Sequence, residues 1–130
     1  MDLNRVDYVI LYVRDLDASV AFYRDVVGLA PKFTDSGYAE FVTEGTKFAL
    51  FDRAGLPGLI GREVQGVGPW GEVAFMVEDV DAHAERLRAA GARILSGPVD
   101  RPWGQRTLHF LDPDGNVVEF AKDLPREGEG

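Results

Sequence analysis

The sequence contains no cysteine, which removes disulfides, thiolate metal ligands and thiol nucleophiles at once. It has only two histidines, His83 and His109, so a metal centre rich in imidazole has little to draw on. No uncharged apolar run approaches the ~20 residues a membrane-spanning helix needs, so no membrane partner is expected. The opening residues, Met1-Asp2-Leu3-Asn4-Arg5, lack the cationic start and apolar stretch of a secretory signal, and a cytoplasmic location is the default expectation. Basic residues are outnumbered, 14 Lys and Arg against 22 Asp and Glu, with no cluster among them. That excludes the usual electrostatic footprint of a nucleic-acid binder. A net charge of −8 keeps the surface soluble and favours cationic ligands over anionic ones.

What the sequence does have is a copy of itself. Val13-Arg14-Asp15-Leu16-Asp17-Ala18 returns as Val77-Glu78-Asp79-Val80-Asp81-Ala82, and Gly45-Thr46-Lys47-Phe48-Ala49-Leu50 is echoed by Gly115-Asn116-Val117-Val118-Glu119-Phe120. A long period repeated once means two copies of one supersecondary unit rather than a solenoid. Each copy is expected to supply half of a shared pocket.

The elements of the first copy follow from local chemistry. Val6 to Tyr12 is a β-branched and aromatic run, a strand. Asp15 stands where an N-cap belongs, the apolar residues 16, 20, 23 and 27 form one helical stripe, and Gly28 suits a left-handed stop. A strand near Lys32-Phe33-Thr34 and a hairpin follow, with arms Tyr38–Thr43 and Thr46–Phe51 joined at Glu44-Gly45. In the second copy Glu72–Val77 is a strand, Asp79 caps a helix with its stripe at 80, 84 and 87, and Gly91 ends it. Arg93–Leu95 begins a strand, and Arg106–Leu111 and Asn116–Phe120 form a hairpin across Asp112-Pro113-Asp114-Gly115. Asp112, Asp114 and Asn116 are read as turn chemistry. The glycine-rich stretch between the copies is read as a linker long enough to drape over a pocket.

The predicted fold is therefore α+β, two βαβββ modules forming a curved, cup-shaped mixed sheet with helices on the outer face. One domain spans 1–124, with modules at about 5–52 and 71–122, a linker at 53–70 and a flexible tail at 125–130. The site is expected on the sheet face away from the helices.

These motifs resemble the vicinal-oxygen-chelate superfamily, which includes glyoxalase I, bleomycin-resistance proteins, fosfomycin-resistance enzymes and extradiol dioxygenases. The resemblance rests on Tyr12-Val13-Arg14-Asp15-Leu16-Asp17 with Ala21-Phe22-Tyr23-Arg24-Asp25 and Gly28-Leu29. In the second half it rests on Phe75 through Asp81, Gly91-Ala92, Trp103-Gly104-Gln105-Arg106 and Asp112 through Asn116. It covers nearly the whole chain, Val6 to Phe120, and implies paired modules in a homodimer. It also implies metal ligands at equivalent first-strand positions, which fall on Tyr8 and Glu72, and last-strand positions, which fall on Ala49 and Glu119. Only Glu119 holds the family's usual residue, and neither first-strand histidine is present.

A transition-metal centre needs about three protein ligands and favours imidazole, so the expectation is no metal and no cofactor, with Glu72 and Glu119 as the alternative holders of a hard ion. With Leu108 paired across the hairpin with Glu119, His109 is expected to face away from that carboxylate, and a register one residue different would turn it inward. His83, one position off the helical stripe, is expected to be solvated. The pocket's character then comes from flat side chains, Phe33, Tyr38, Trp70, Trp103 and Phe110, together with Tyr8, which stack on planar ligands and attract cations. Phe48, Phe51 and Phe75 belong to the same group, with Phe48 also readable as core. Glu40, placed opposite Ala49, would join Glu72 and Glu119 as a third acid on one face, the alternative being an exposed position at the sheet edge. Arg101 and Arg106 flank Trp103, able to orient a ligand carboxylate or to pair with nearby acids.

The leading functional reading is metal-independent binding of a small, partly aromatic molecule, cationic ones included, as in the drug-sequestering, antibiotic-resistance members of the superfamily. The second is a lyase, isomerase or dioxygenase-type enzyme using Glu119 with Glu72 or Tyr8, with or without a divalent metal. A third is a partner-binding module with a collapsed pocket.

Overall fold

The computed structural model describes residues 3–126, and the chain divides into two compact units, Met1–Gly66 and Val67–Gly130. Unit 1 contains β1 (Tyr8–Val13), α1 (Leu16–Ala21), β2 (Pro31–Asp35), β3 (Tyr38–Phe41), β4 (Lys47–Asp52) and α2 (Leu56–Ile60). Unit 2 contains β5 (Glu72–Met76), α3 (Val80–Ala89), β6 (Arg93–Arg101), β7 (Gln105–Leu111) and β8 (Val117–Asp123). The sheets have matching orders, β1-β4-β3-β2 and β5-β8-β7-β6, with the first strand of each parallel to the last and the other pairs antiparallel. The expected α+β class and the βαβββ repeat are both present.

Both helices start for the same reason. The Asp15 carboxylate accepts from the Ala18 backbone N–H at 3.0 Å, and the Asp79 carboxylate accepts from Ala82 at 3.0 Å, satisfying donors that the first helical turn leaves free. The turns after α1 widen into a π-helix at Phe22–Val27, which ends on Gly28 at φ 104°, the left-handed conformation the sequence suggested. In unit 1, Tyr23 is fully buried, its ring 5.1 Å from Phe48 and 6.1 Å from Phe41. In unit 2, Val80, Ala84 and Leu87 of α3 and Leu108, Phe110, Val118 and Phe120 of the sheet are all buried. Each large side chain so enclosed contributes about 1.5–3 kcal/mol of burial.

The structure adds detail to these local expectations and corrects one of them, at His83. The linker carries local structure: Asp52 caps a short 3₁₀ turn at Arg53–Gly55, α2 follows with Pro57 in its first turn, and Leu56 is fully buried. The strand that begins at Arg93, as expected, is β6, and it continues to Arg101 through a bulge around Gly97-Pro98. Gly97 sits at φ 99° with β7 so close that an added Cβ would lie 2.2 Å from the Thr107 carbonyl oxygen. His83 is half-buried rather than solvated, its ring 4.9 Å from Phe120 and hydrogen-bonded with Arg86 at 3.0 Å. Burial holds its pKa below the ordinary imidazole range. Of the tail, Pro125 and Arg126 are described without regular structure, and residues 127–130 lie outside the described residues.

A second correction bears on function. His109, not Leu108, pairs with Glu119, and Leu111 pairs with Val117. Asn116 belongs to the loop rather than to the strand: Asp112 N–H donates to the Asn116 carbonyl, and the Asp112 carboxylate accepts from the N–H groups of Asp114 and Asn116 at 2.9 and 2.8 Å. One more loop residue shifts the pairing by one, and a shift of one turns every side chain to the other face. His109 therefore lies on the face of Glu119.

Candidate functional site

On the face of the unit 2 sheet away from α3, three ionisable groups converge. Glu72 opens β5, His109 stands in the middle of β7, and Glu119 lies on β8, which pairs with both strands. His109 Nε2 is 3.9 Å from Glu72 Oε2 and 3.7 Å from Glu119 Oε2. One ligand-capable atom of each residue lies within 4.8 Å of the others. Glu119 is the enclosed member, its side chain 13% exposed against 50% for Glu72. Burial pushes the Glu119 carboxyl above the ordinary carboxylate range, and a hydrogen bond with Glu72 and that residue's charge push it further, against the opposing charge of Arg101. Arg101 stretches over the same face, donating from Nε to Thr107 Oγ1 and from Nη2 to Ser96 Oγ, both at 2.9 Å.

The start of β5 is anchored from the hairpin. The Gly68 N–H donates to the Asp114 carbonyl at 2.7 Å, the Trp70 N–H donates to Asn116 Oδ1 at 3.3 Å, and the Val117 N–H donates to the Gly71 carbonyl at 3.1 Å. The turn residues Asp112, Asp114 and Asn116, all buried, thus hold the segment that delivers Glu72.

Unit 1 carries different chemistry on the matching face. Tyr8, Ile10, Phe33, Asp35, Tyr38 and Glu40 line a cavity of ≈ 500 Å³. Tyr8 and Phe33 are each about half exposed, and the Phe33 and Tyr38 rings lie 5.7 Å apart. Glu40 pairs with Ala49 as expected, but it is buried at 5% exposure and already partnered. The Tyr38 hydroxyl donates to it at 2.7 Å, and Lys32 Nζ lies 3.2 Å away. The Tyr38 hydrogen bond, with help from Lys32, holds the Glu40 carboxyl below its ordinary range, while burial and Glu40 push the Tyr38 phenol up to about 12. Of the three acids it is Glu119 whose pKa is raised, while Glu40 is held low because a local cation and a hydroxyl stabilise its charge. Lys47, the parallel partner of Tyr8, places its ammonium 5.0 Å over the Tyr8 ring.

Two of the expected ligand residues belong elsewhere. Phe110 is fully buried on the α3 face, its ring 5.2 Å from Phe120, so it is core. Arg106 shares that face, and its guanidinium is held by Asp81 at 2.8 and 2.9 Å and by Asp100 at 2.9 Å. Both acids raise the Arg106 pKa, and pairing with nearby acids is thus the role it adopts. Trp70 and Trp103 are exposed, as loop residues should be. Trp103 donates from Nε1 to Gln105 Oε1 at 3.0 Å, has Arg101 5.9 Å from its ring, and borders a cavity of ≈ 440 Å³ shared with Gly104, Asp123, Leu124, Pro125 and Arg126.

The residues that sequence reasoning missed are His109, Ile10, Asp35, Lys32 and Lys47. Alternation with Tyr8 along one strand puts Ile10 on the same face, a signal that was available. Lys47 depends on the parallel register of β1 with β4, and nothing local announces that register.

The donor set at the four family positions does not suit a transition metal: Tyr8 and Ala49 in unit 1 offer one phenol and no second ligand. Glu72 and Glu119 in unit 2, joined by His109, offer two carboxylates and an imidazole.

Comparison with known proteins agrees with this architecture. Uncharacterized protein YraH of Bacillus subtilis (strain 168) is 34% identical over 121 residues, 88% of this chain and 94% of that protein. Metallothiol transferase FosB of Shouchella clausii (strain KSM-K16) is 30% identical across 90% of this chain and 79% of its own length. The crystal structure of a glyoxalase/bleomycin resistance protein/dioxygenase from Nocardioides superimposes with a TM-score of 0.79 at 30% identity, covering 95% of this chain and 86% of that one. No helix among the described residues is long and apolar enough to cross a membrane. Residues 5–120 match the Glyoxalase/Bleomycin resistance protein/Dioxygenase superfamily, and the chain belongs to that family.

Proposed function

We propose that this chain binds a small, partly aromatic molecule non-covalently on the open face of unit 1, through contacts that require no metal, in the manner of the drug-sequestering members of its superfamily. The observation that carries the reading is the ≈ 500 Å³ cavity, lined by three aromatic rings and two carboxylates. Tyr8, Phe33 and Tyr38 offer stacking surface to a planar ligand. Glu40 is neutralised by its partners, so Asp35 is the acid left to attract a cationic substituent. Sequestration needs only a favourable dissociation constant, and this cavity has the size range of small-molecule sites.

Calorimetric titration with planar aromatic amines and their uncharged analogues tests the reading. Binding is expected to weaken about 3–10-fold in Phe33→Ala or Tyr38→Ala, as loss of one stacked ring implies. No heat and no tyrosine resonance shift across a broad panel would overturn it. A homodimer is part of the proposal. The exposed apolar residues Val9 and Tyr12 of β1 are suited to a second copy, and sedimentation at the mass of one chain would count against it.

A second reading, an enzyme of the lyase or isomerase type, is favoured by one specific observation: His109 joins Glu72 and Glu119 on a common face. A carboxyl and an imidazole at that separation suit proton transfer at a carbon next to a carbonyl. Exchange of solvent deuterium into small hydroxy- and oxo-carbonyl compounds, lost in Glu119→Gln, would support it.

A further inference from the structure

We infer that Arg101 anchors a binding site for a small organic carboxylate on the open face of unit 2. The inference goes beyond the aromatic-ligand reading and does not rest on it, because its residues all belong to the other unit.

The backbone is the first support. Ser96 and Arg101 are five apart on β6, and on a regular strand they would point to opposite faces. The register shift between Ser96 and Val99 reverses that. Ser96 pairs with His109, Val99 with Thr107 and Arg101 with Gln105, so all of them share the face of Glu119. The Arg101 guanidinium reaches back to two hydroxyls, donating from Nε to Thr107 Oγ1 and from Nη2 to Ser96 Oγ, both at 2.9 Å. Thr107 is fully buried, and the Trp103 ring lies 5.9 Å from the guanidinium carbon, so the group is held in place before any ligand arrives.

Charge is the second support. Arg106, on the opposite face, is cancelled by Asp81 and Asp100, whereas both partners of Arg101 are neutral. Arg101 is half-buried, and no carboxylate among the described residues lies within ion-pair distance of it. The hydroxyls occupy the Nε edge of the guanidinium plane, which leaves the edge formed by Nη1 and Nη2 to donate two parallel hydrogen bonds. A carboxylate fits that edge, and charge-assisted bonds of this kind are about twice as strong as neutral ones. Unit 1 has no counterpart. Its matching edge strand, β2, is five residues long, and the one cation on it, Lys32, is spent on Glu40.

The neighbours narrow the ligand class. Glu72, Glu119 and Asp123 share this face, so a singly charged carboxylate meets less repulsion than a phosphate dianion. Thr107 pairs with Ala121 and Ala121 with Met76, whose side chain is 59% exposed. That row of the sheet offers an apolar shelf to a short aliphatic body.

Titration of the isotope-labelled full chain with sodium butyrate, read at the arginine Nε–H resonances, tests the inference. Butyramide serves as the uncharged isostere and sodium phosphate as the competing oxyanion. Expected are a saturable shift of the Arg101 resonance at millimolar butyrate, no saturable response to butyramide, and weaker binding of phosphate. Arg101→Lys keeps the charge and loses the fork, so it should bind butyrate about tenfold more weakly, while Arg106→Lys should bind it unchanged. An Arg101 resonance unmoved by butyrate, an equal response to butyramide, or tighter binding of phosphate would overturn the inference. So would undiminished butyrate binding in folded Arg101→Lys and Arg101→Gln. Phe33→Ala should leave butyrate binding intact while weakening the aromatic ligand of unit 1, and Arg101→Lys should do the reverse, so each reading can fail alone.

Discussion

The two units use one backbone plan for opposite electrostatic ends. At equivalent points of the two sheets, unit 1 has Tyr8, Glu40 and Ala49, and unit 2 has Glu72, His109 and Glu119. In unit 1 the Glu40 carboxylate is neutralised within its own strands by Lys32 and Tyr38, and the rest of the cavity is lined by three aromatic rings, Ile10 and Asp35. In unit 2 two carboxylates and an imidazole face one another, and the sheet's Phe110 and Phe120 rings are turned into the core. The caps, helix stripes and sheet order are repeated, while the chemistry of the exposed face is not. Duplicated scaffolding constrains what is buried, and the open face is where the copies are free to diverge.

Predictions that press on this contrast run from large to small. Phe110→Ala should cost about 3–5 kcal/mol of stability, whereas Phe33→Ala, on the open face of unit 1, should cost no more than about 0.5 kcal/mol. Urea denaturation of the two variants checks this, and equal losses would put both rings in one class. Asp15→Ala and Asp79→Ala should each cost about 1 kcal/mol, because the same capping bond begins both helices. A loss in one and not the other would show that the repeat in sequence is not a repeat in energetics. Arg106→Ala should cost about 0.5 kcal/mol by the same measurement, since its pairs with Asp81 and Asp100 are largely solvated and screened.

The subtlest difference is one of sign. Glu40 is held below the carboxylate range, so the stability it lends is present above that range and is lost as pH falls through its lowered pKa. Glu119 is held above the range, so in metal-free protein its stabilising protonated form dominates at low pH. That contribution is lost as pH rises from the ordinary carboxylate range through its raised pKa. Urea midpoints measured against pH should therefore show Glu40→Gln losing stability mainly at neutral pH. Glu119→Gln should close its gap to the parent on acidification and gain on it at neutral pH. Parallel profiles would dissolve the contrast.

The elements and their order were legible because they rest on local chemistry. Asp15 and Asp79 before apolar stripes, Gly28 and Gly91 after them, and the offset between the copies all act within a few residues of themselves. Glu40 opposite Ala49 was equally accessible, since Glu44-Gly45 closes a hairpin whose register follows from its turn. The other hairpin was not: Asn116 reads as a strand residue until Asp112 is seen folding the loop around it, and that one residue decided which way His109 points.

Sequence alone determined the repeat, the α+β class, the family pattern and the loss of its first-strand histidines. Tertiary structure alone decided that Phe110 is core, that Arg106 is spent on Asp81 and Asp100, that Glu40 is neutralised, and that His109 joins two glutamates. The physical reason is range. Capping and periodicity are settled between near neighbours, whereas the face a strand residue presents depends on pairing with a partner far along the chain, where a slip of one residue reverses the answer.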